Sequence, residues 1–377
     1  MDKWQKHYDK LNNKQREAVD YIDGPLLVVA GPGSGKTELL ALRIANILRE
    51  TQTAPESILC LTFTDSGAVN MRERLTKIIG STARKVAIHT FHSFARRIMD
   101  ENREYFYNAF EFDIATDIDK EEILDMAFRN LPHSSTLAAY HNKLGWAYYR
   151  DVKNRIRDIK MAGYNSHEYE ILVNKSEEEL EIVNKIFNYH WTTDRMSIKN
   201  ILWLDNLIEA LEINNNLTAT AYKKELEHLK DEASEAGKTS PISDWASSNI
   251  VKEKKNTTST KNKTMSSELE NDISLKEYEN LNKTKDIANI YKYYEENLNE
   301  RGLYDYDDMI INVKSALYEN IDLHNNIAEK YIYIMIDEFQ DTNEAQMRLI
   351  NGILSVNTEN PNIFAVGDDD QSIYKFQ

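Results

Sequence analysis

Leu26-Leu-Val-Val-Ala-Gly-Pro-Gly-Ser-Gly-Lys-Thr37 decides how this chain is read. Its first five residues are a short apolar run that includes β-branched Val28 and Val29. Glu38 to Arg49 behind it carries Leu39, Leu42, Ala45 and Leu48 on one helical stripe. Strand, glycine-rich loop and helix in that order are the context of a phosphate-binding loop. The glycines let successive backbone N–H groups turn inward around an anion, and the helix N-terminus adds its positive end. The spacing predicts that Ala30, Gly31, Pro32, Gly33, Ser34, Gly35, Lys36 and Thr37 cradle the phosphates of ATP. Lys36 would bridge the β- and γ-phosphates, and the Thr37 hydroxyl would ligate Mg²⁺. Ala30 stands where the strict pattern has Gly, which a residue at negative φ tolerates.

A phosphate loop needs an acid on a neighbouring strand. Tyr331-Ile-Tyr-Ile-Met-Ile336 runs straight into Asp337-Glu-Phe-Gln-Asp-Thr342. Asp337 suits the metal, directly or through water, and Glu338 suits the deprotonation of an attacking water. Ile363-Phe-Ala-Val366 leads into Gly367-Asp-Asp-Asp-Gln-Ser-Ile-Tyr-Lys-Phe376, where Gln371 is a neutral donor able to touch a γ-phosphate and sense its loss. With Ile58-Leu-Cys-Leu-Thr-Phe63 and Val86-Ala-Ile88, these runs are short and apolar throughout, as in strands covered on both faces of a parallel sheet.

From about 106 to 304 the texture changes to long polar helical stretches rich in Asn, Lys, Glu and Tyr. The expected architecture is an α/β domain of residues 1–105 and 305–377, interrupted by a helical insertion at 106–304. Within the insertion, residues 251–285 hold few large apolar side chains and read as a flexible, solvated segment.

Composition bounds the function. The 377 residues carry a formal charge of −16, which disfavours a nonspecific coat on nucleic acid but not a local basic groove. Only 12 Gly and 6 Pro argue against a turn-rich all-β fold. A single cysteine, Cys60, excludes an internal disulfide framework and a multi-cysteine zinc site. With no apolar leader at Met1 and no membrane-length apolar run, the expected place is the cytoplasm, with no membrane partner. Between Ser66 and Tyr105 eight basic residues meet four acidic ones, a local excess of +4.

Taken together, the motifs resemble the N-terminal part of a superfamily 1 DNA helicase of the UvrD/Rep/PcrA type. Leu11-Asn-Asn-Lys-Gln15 resembles its adenine-reading motif, with Gln15 carrying the contact. Thr62-Phe-Thr-Asp-Ser-Gly-Ala68 and His89-Thr-Phe-His-Ser93 resemble its single-strand contact motifs. Leu303-Tyr-Asp-Tyr-Asp-Asp-Met309 resembles the return from the insertion. The resemblance implies a RecA-like ATP-binding fold and a 3′→5′ translocase that steps along single-stranded DNA or DNA junctions. It implies nucleic-acid contacts at Phe63, Thr64, Thr90, His92, Tyr374 and Phe376, and catalytic roles at Lys36, Asp337, Glu338 and Gln371. Departures from the family pattern are Asp65-Ser66 for Asn-Lys, Glu38 for a common Arg, Phe376 for Trp and Gln377 for Arg. The motif series stops at Phe376, so the family's second RecA-like domain and its arginines are expected outside this chain, with hydrolysis by the fragment alone near background. The alternative reading is a nucleotide-gated DNA-binding module without motor activity.

Overall fold

The computed structural model describes residues 3–106, 113–191, 202–214, 216–252, 273–355 and 360–368. Two compact units result, Met1–Glu121 with Asn154–Asn165 and Glu295–Gln377, and Glu122–Lys153 with Ser166–Tyr294.

The first unit is built on a parallel sheet. Its strands are β1 (Leu26–Val29), β2 (Ile58–Thr62), β3 (Ala87–Thr90), β4 (Tyr333–Asp337) and β5 (Ile363–Gly367), in the spatial order β1-β5-β4-β2-β3. β2 and β4 are buried at every position, so their unbroken apolar sequence matches helices packed on both faces. One face carries Lys36–Glu50 and Asp65–Ile79, and the other carries Phe91–Glu101, Asp308–Glu319 and Glu344–Leu354. β1 departs from the expectation of two covered faces. It lies at the sheet edge, with Leu27 and Val29 exposed.

Arg43, in the middle of Lys36–Glu50, is buried inside this core. It donates to the carbonyls of Ala18, Tyr21 and Ile22 and lies over the Phe364 ring. Burial pushes its guanidinium down to about 10. The three carbonyl bonds fasten the chain between the helix Asn13–Asp20 and β1 beneath the phosphate loop.

Residues 154–165, placed in the insertion by their polar texture, cluster with the first unit. The reason is a buried ion cluster. Lys160 Nζ lies 3.0 Å from Asp305 Oδ2 and 2.6 Å from Asp308 Oδ1, while Lys120 Nζ lies 2.6 Å from Asp305 Oδ1. Burial, with the charge of Asp305 behind it, pushes the Asp308 carboxyl up to about 6 against the pull of Lys160. A charged pattern in sequence is therefore an interior one in space.

The second unit is helical. Ser166–His190, Leu202–Asn214, Leu217–Ala236 and Ser240–Asn249 enclose a core in which Phe187 stacks against Trp191 and Trp245 and meets Tyr222 edge-on. The stretch read as flexible is ordered at both ends. Ile250–Lys252 pairs antiparallel with Ile273–Leu275, the helix Lys276–Glu300 follows, and Leu275 and Leu281 are buried. The few apolar residues there are spaced to pair and pack. The stretch 253–272 lies outside the described residues. No helix among the described residues is long and apolar enough to cross a membrane.

Replacing Lys160 with Ala would leave the buried Asp308 carboxylate without its cation and Asp305 with Lys120 alone. The expected loss of stability is about 3–5 kcal/mol in urea denaturation. A loss under 1 kcal/mol would show that the cluster is hydrated rather than buried.

Candidate nucleotide site and nucleic-acid surface

The sheet register brings the functional segments level. Val29 is opposite Gly367, Asp337 is opposite Val366, and Thr62 is opposite Thr90, so each strand ends at the same edge. Ligands of open parallel sheets bind at that carboxyl edge, because the loops leaving the strands converge there.

The phosphate loop leaves β1 after Ala30, whose N–H extends the ladder to Gly367 O at 2.9 Å. Gly35 caps the helix Lys36–Glu50 at φ 80°, a left-handed backbone that an L side chain resists. Added Cβ atoms at Gly31, Gly33 or Gly35 would meet nothing within 4 Å, so the loop rims open space. That space is a cavity of about 320 Å³ lined by Pro32 to Glu38, Arg74 and Glu338. Thr37 is half-buried in the first turn of the helix.

Lys36 is 8% exposed, and its ammonium has no well-aligned hydrogen bond. It has an ionic neighbour in Glu338 Oε2 at 3.2 Å. A buried cation beside an open Cβ-less loop suits the phosphates of a nucleotide. Asp337 is 5% exposed, and burial followed by the charge of Glu338 pushes its carboxyl up to about 6. Two adjacent acids at a buried edge suit a divalent cation. No group of three or more His, Cys, Asp or Glu among the described residues could hold a metal unaided. An ion here would therefore lean on the Thr37 hydroxyl, Asp337, phosphate oxygens and water.

Glu338 has φ 52°, alone among the described non-glycine residues in having positive φ. Its backbone N–H donates to Asp337 Oδ1 at 3.1 Å, and Gln340 Nε2 donates to its Oε2 at 2.8 Å.

Gln15 reaches the loop but is largely occupied. Its Oε1 accepts from the Asn12 N–H at 2.9 Å and its Nε2 donates to Ser34 O at 3.0 Å. Its carboxamide thus splints the phosphate loop to the helix Asn13–Asp20, with one N–H left over. Glu38, the departure from the family's Arg, accepts from Arg74 at 3.3 Å and sits 2.6 Å from His7 Nδ1. Arg74 therefore reaches the mouth of the loop from the helix Asp65–Ile79, a contact the sequence reading missed.

Four of the expected nucleic-acid residues, Phe63, Thr64, Thr90 and His92, sit on the neighbouring stretch of the same edge. Phe63 is half-buried just beyond β2. Thr64 caps Asp65–Ile79, its hydroxyl accepting from Gly67 N at 3.0 Å. Thr90 is 6% exposed and forms a capping box with Ser93 on Phe91–Glu101. Both hydroxyls serve helix termini. Phe91 and Phe94 are core residues. His92 stacks on Tyr306 with centroids 4.3 Å apart and lies 3.5 Å from Asp307 Oδ1. Tyr306 is 45% exposed and had no role in the sequence reading. Gln371, Tyr374 and Phe376 lie outside the described residues.

Three of the eight basic residues of this segment are engaged within it. Arg72 donates to the carbonyls of Ala83, Val86 and Ile88, while Arg96 and Arg97 pair with Asp100 and Glu101.

A parallel sheet that delivers a phosphate loop and a strand-end acid to one edge defines a RecA-like P-loop α/β fold. The chain belongs to the UvrD/REP helicase N-terminal domain family, whose profile matches residues 11–212 and 190–377. It is similar to the probable DNA helicase II homolog of Mycoplasma capricolum subsp. capricolum, at 24% identity over 369 residues, 98% of this chain and 35% of that protein. It is also similar to the probable DNA helicase II homolog of Rickettsia conorii, at 26% over 364 residues, 97% of this chain and 38% of that protein. The ATP-dependent DNA helicase PcrA of Staphylococcus aureus matches at 26% over 367 residues, 97% of this chain and 34% of that protein. The chain thus spans about a third of the length of these relatives.

His89 gives a pH test of the candidate nucleic-acid edge. Burial, then the charges of Arg97 and Arg72, push its imidazole down from 6.5 to about 4. A folded value below the unfolded one adds stability that is full above pH 6.5 and lost as pH falls through 4. His89→Gln should flatten the decline in urea stability across that window. An unchanged slope would assign the titration to another group.

Proposed function

We propose that this chain is the ATP-binding and strand-contacting part of a DNA translocase of the helicase type, moving 3′→5′ on single-stranded DNA. The observation that carries the reading is the meeting of Lys36 and Glu338 at 3.2 Å over the phosphate loop. In contact with the loop lysine and lining the same open cavity, this acid is placed beside the phosphates the loop would bind.

The loop N–H groups and Lys36 take the β- and γ-phosphates of ATP, and Lys36 neutralises charge on their oxygens. Thr37 and Asp337 would hold Mg²⁺, which would supply electrostatic stabilisation of the phosphate charge when bound. Glu338 orients a water and takes its proton as the water oxygen bonds to the γ-phosphorus. The bond from that phosphorus to the β–γ bridging oxygen breaks, and ADP and phosphate leave. Gln371 is assigned to sensing the γ-phosphate. Within the described lining of the loop's mouth the only arginine is Arg74, engaged by Glu38. The arginines that complete transition-state stabilisation are therefore assigned to a second RecA-like domain outside these residues.

On the strand side, the exposed Tyr306 ring backed by His92, together with Phe63, offers π-faces that stack on any unpaired base. That suits a protein that must step along DNA regardless of sequence.

Lys36→Ala should abolish binding of a fluorescent ATP analogue, since no other ammonium lines the loop's cavity among the described residues. Glu338→Gln should keep binding and remove the slow single-turnover hydrolysis, because an amide cannot accept the water's proton. Equal loss of affinity in both variants would show Glu338 to be a binding group instead.

Tyr306→Ala should weaken single-stranded DNA by about 1–3 kcal/mol in an anisotropy titration. The dependence of affinity on salt should keep its slope, because no phosphate contact is lost. A changed slope with unchanged affinity at low salt would reject Tyr306 as a stacking platform.

A further inference from the structure

Gln340 connects two parts of the site that sequence leaves separate. It sits in the short turn Phe339–Asp341 after β4. Its Nε2 donates to Glu338 Oε2 at 2.8 Å, and its Oε1 accepts from the Asp368 N–H at 2.9 Å, where the chain leaves β5. One partner is an acceptor and the other a donor, so the carboxamide has a single orientation that satisfies both. The space is reserved for it. A Cβ at Gly367 would lie 2.5 Å from Gln340 Oε1 and 3.3 Å from Gln340 N. Glu338 itself is held in a left-handed backbone at φ 52°. Its Oε2, the oxygen bound by Gln340, is also the one 3.2 Å from Lys36 Nζ.

We propose that Gln340 is a positioning residue: it holds the Glu338 carboxylate against Lys36 in the nucleotide-free protein and ties it to the backbone that leaves β5. This rests on the reading of Lys36 as the phosphate cation and Glu338 as the acid that serves it. The carboxylate then competes with an incoming phosphate for the same ammonium. Once displaced from Lys36, it stays on Gln340 at the cavity wall instead of turning into solvent. Any shift of Asp368 is passed through one carboxamide to the acid.

The test measures affinity on the whole 377-residue chain, with Mg²⁺ and either fluorescent ADP or a non-hydrolysable ATP analogue. Glu338→Gln removes the competing charge and should raise affinity several-fold. Gln340→Ala loosens the competitor and should raise it by a smaller factor, on the order of threefold. In the Glu338→Gln background Gln340→Ala should add nothing. Gly367→Ala, whose methyl displaces the Gln340 carboxamide, should match Gln340→Ala. If Gln340→Ala does not fold, Gln340→Met keeps the side-chain volume and carries the same comparison. The inference is overturned if the Gln340 variant acts by the same factor in both backgrounds, or leaves affinity unchanged while the thermal midpoint falls, the mark of a merely structural role. Lys36→Ala separates this from the underlying reading. If it binds nucleotide as well as the parent does, the phosphate-site assignment itself fails.

Discussion

The parallel register of β1, β5 and β4 is the constraint on which the rest depends. Each strand is fixed by backbone hydrogen bonds to its neighbour, and the register sets Val29 against Gly367 and Asp337 against Val366. The phosphate loop, the acid pair and the loop leaving β5 therefore emerge level. Side chains alternate along a strand, so a one-residue slip of β4 would turn every side chain to the opposite face and carry Asp337 away from its place at the edge. The pairing of β4 with β2 and β5, buried at all five positions with Asp337 the last, thus sets register and site geometry together.

Electrostatics in this chain is local. A protein of net charge −16 would repel a polyanion if its charges acted as one field. The cations nearest the candidate strand surface do not offset this, because Arg72 is spent on three carbonyls and Arg96 and Arg97 on neighbouring acids. The proposed DNA contact accordingly leans on rings more than on free charge. Tyr306 and His92 are brought together by segments more than two hundred residues apart in sequence. The Lys160 cluster, with Asp305 and Asp308 on either side of Tyr306, anchors the turn that carries that ring.

Legibility followed the range of the interaction. The phosphate loop and the Asp337-Glu338 pair could be read because strand, loop and terminal acid are contiguous in sequence. Family resemblance reads Thr64 and Thr90 as nucleic-acid contacts. Their hydroxyls cap helices, and the Thr90-x-x-Ser93 spacing is the signal that could have shown it. Gln340, Arg74 and Tyr306 gave no local sign. Each acquires its place through a partner on another element, and no periodicity records such a contact. The same holds for residues 154–165, whose polar texture suggests the insertion although the carboxylates that pair with Lys160 come from the far side of it. Ile250–Lys252 and Ile273–Leu275 are too short to stand out as strands, and only their pairing reveals them.

The left-handed backbone of Glu338 bears on how this protein can change over generations. A glutamate at φ 52° costs about 1–3 kcal/mol that a glycine there would not. Most substitutions elsewhere lower stability, so a route that relieves such strain is conspicuous to any selection for robustness alone. Random variants screened only for heat tolerance would be drawn toward glycine or asparagine at this position. They would come out sturdier and without the carboxylate at the cavity wall. Retention of glutamate at 338 through such drift would mean that the residue is kept by what it does rather than by how the chain folds.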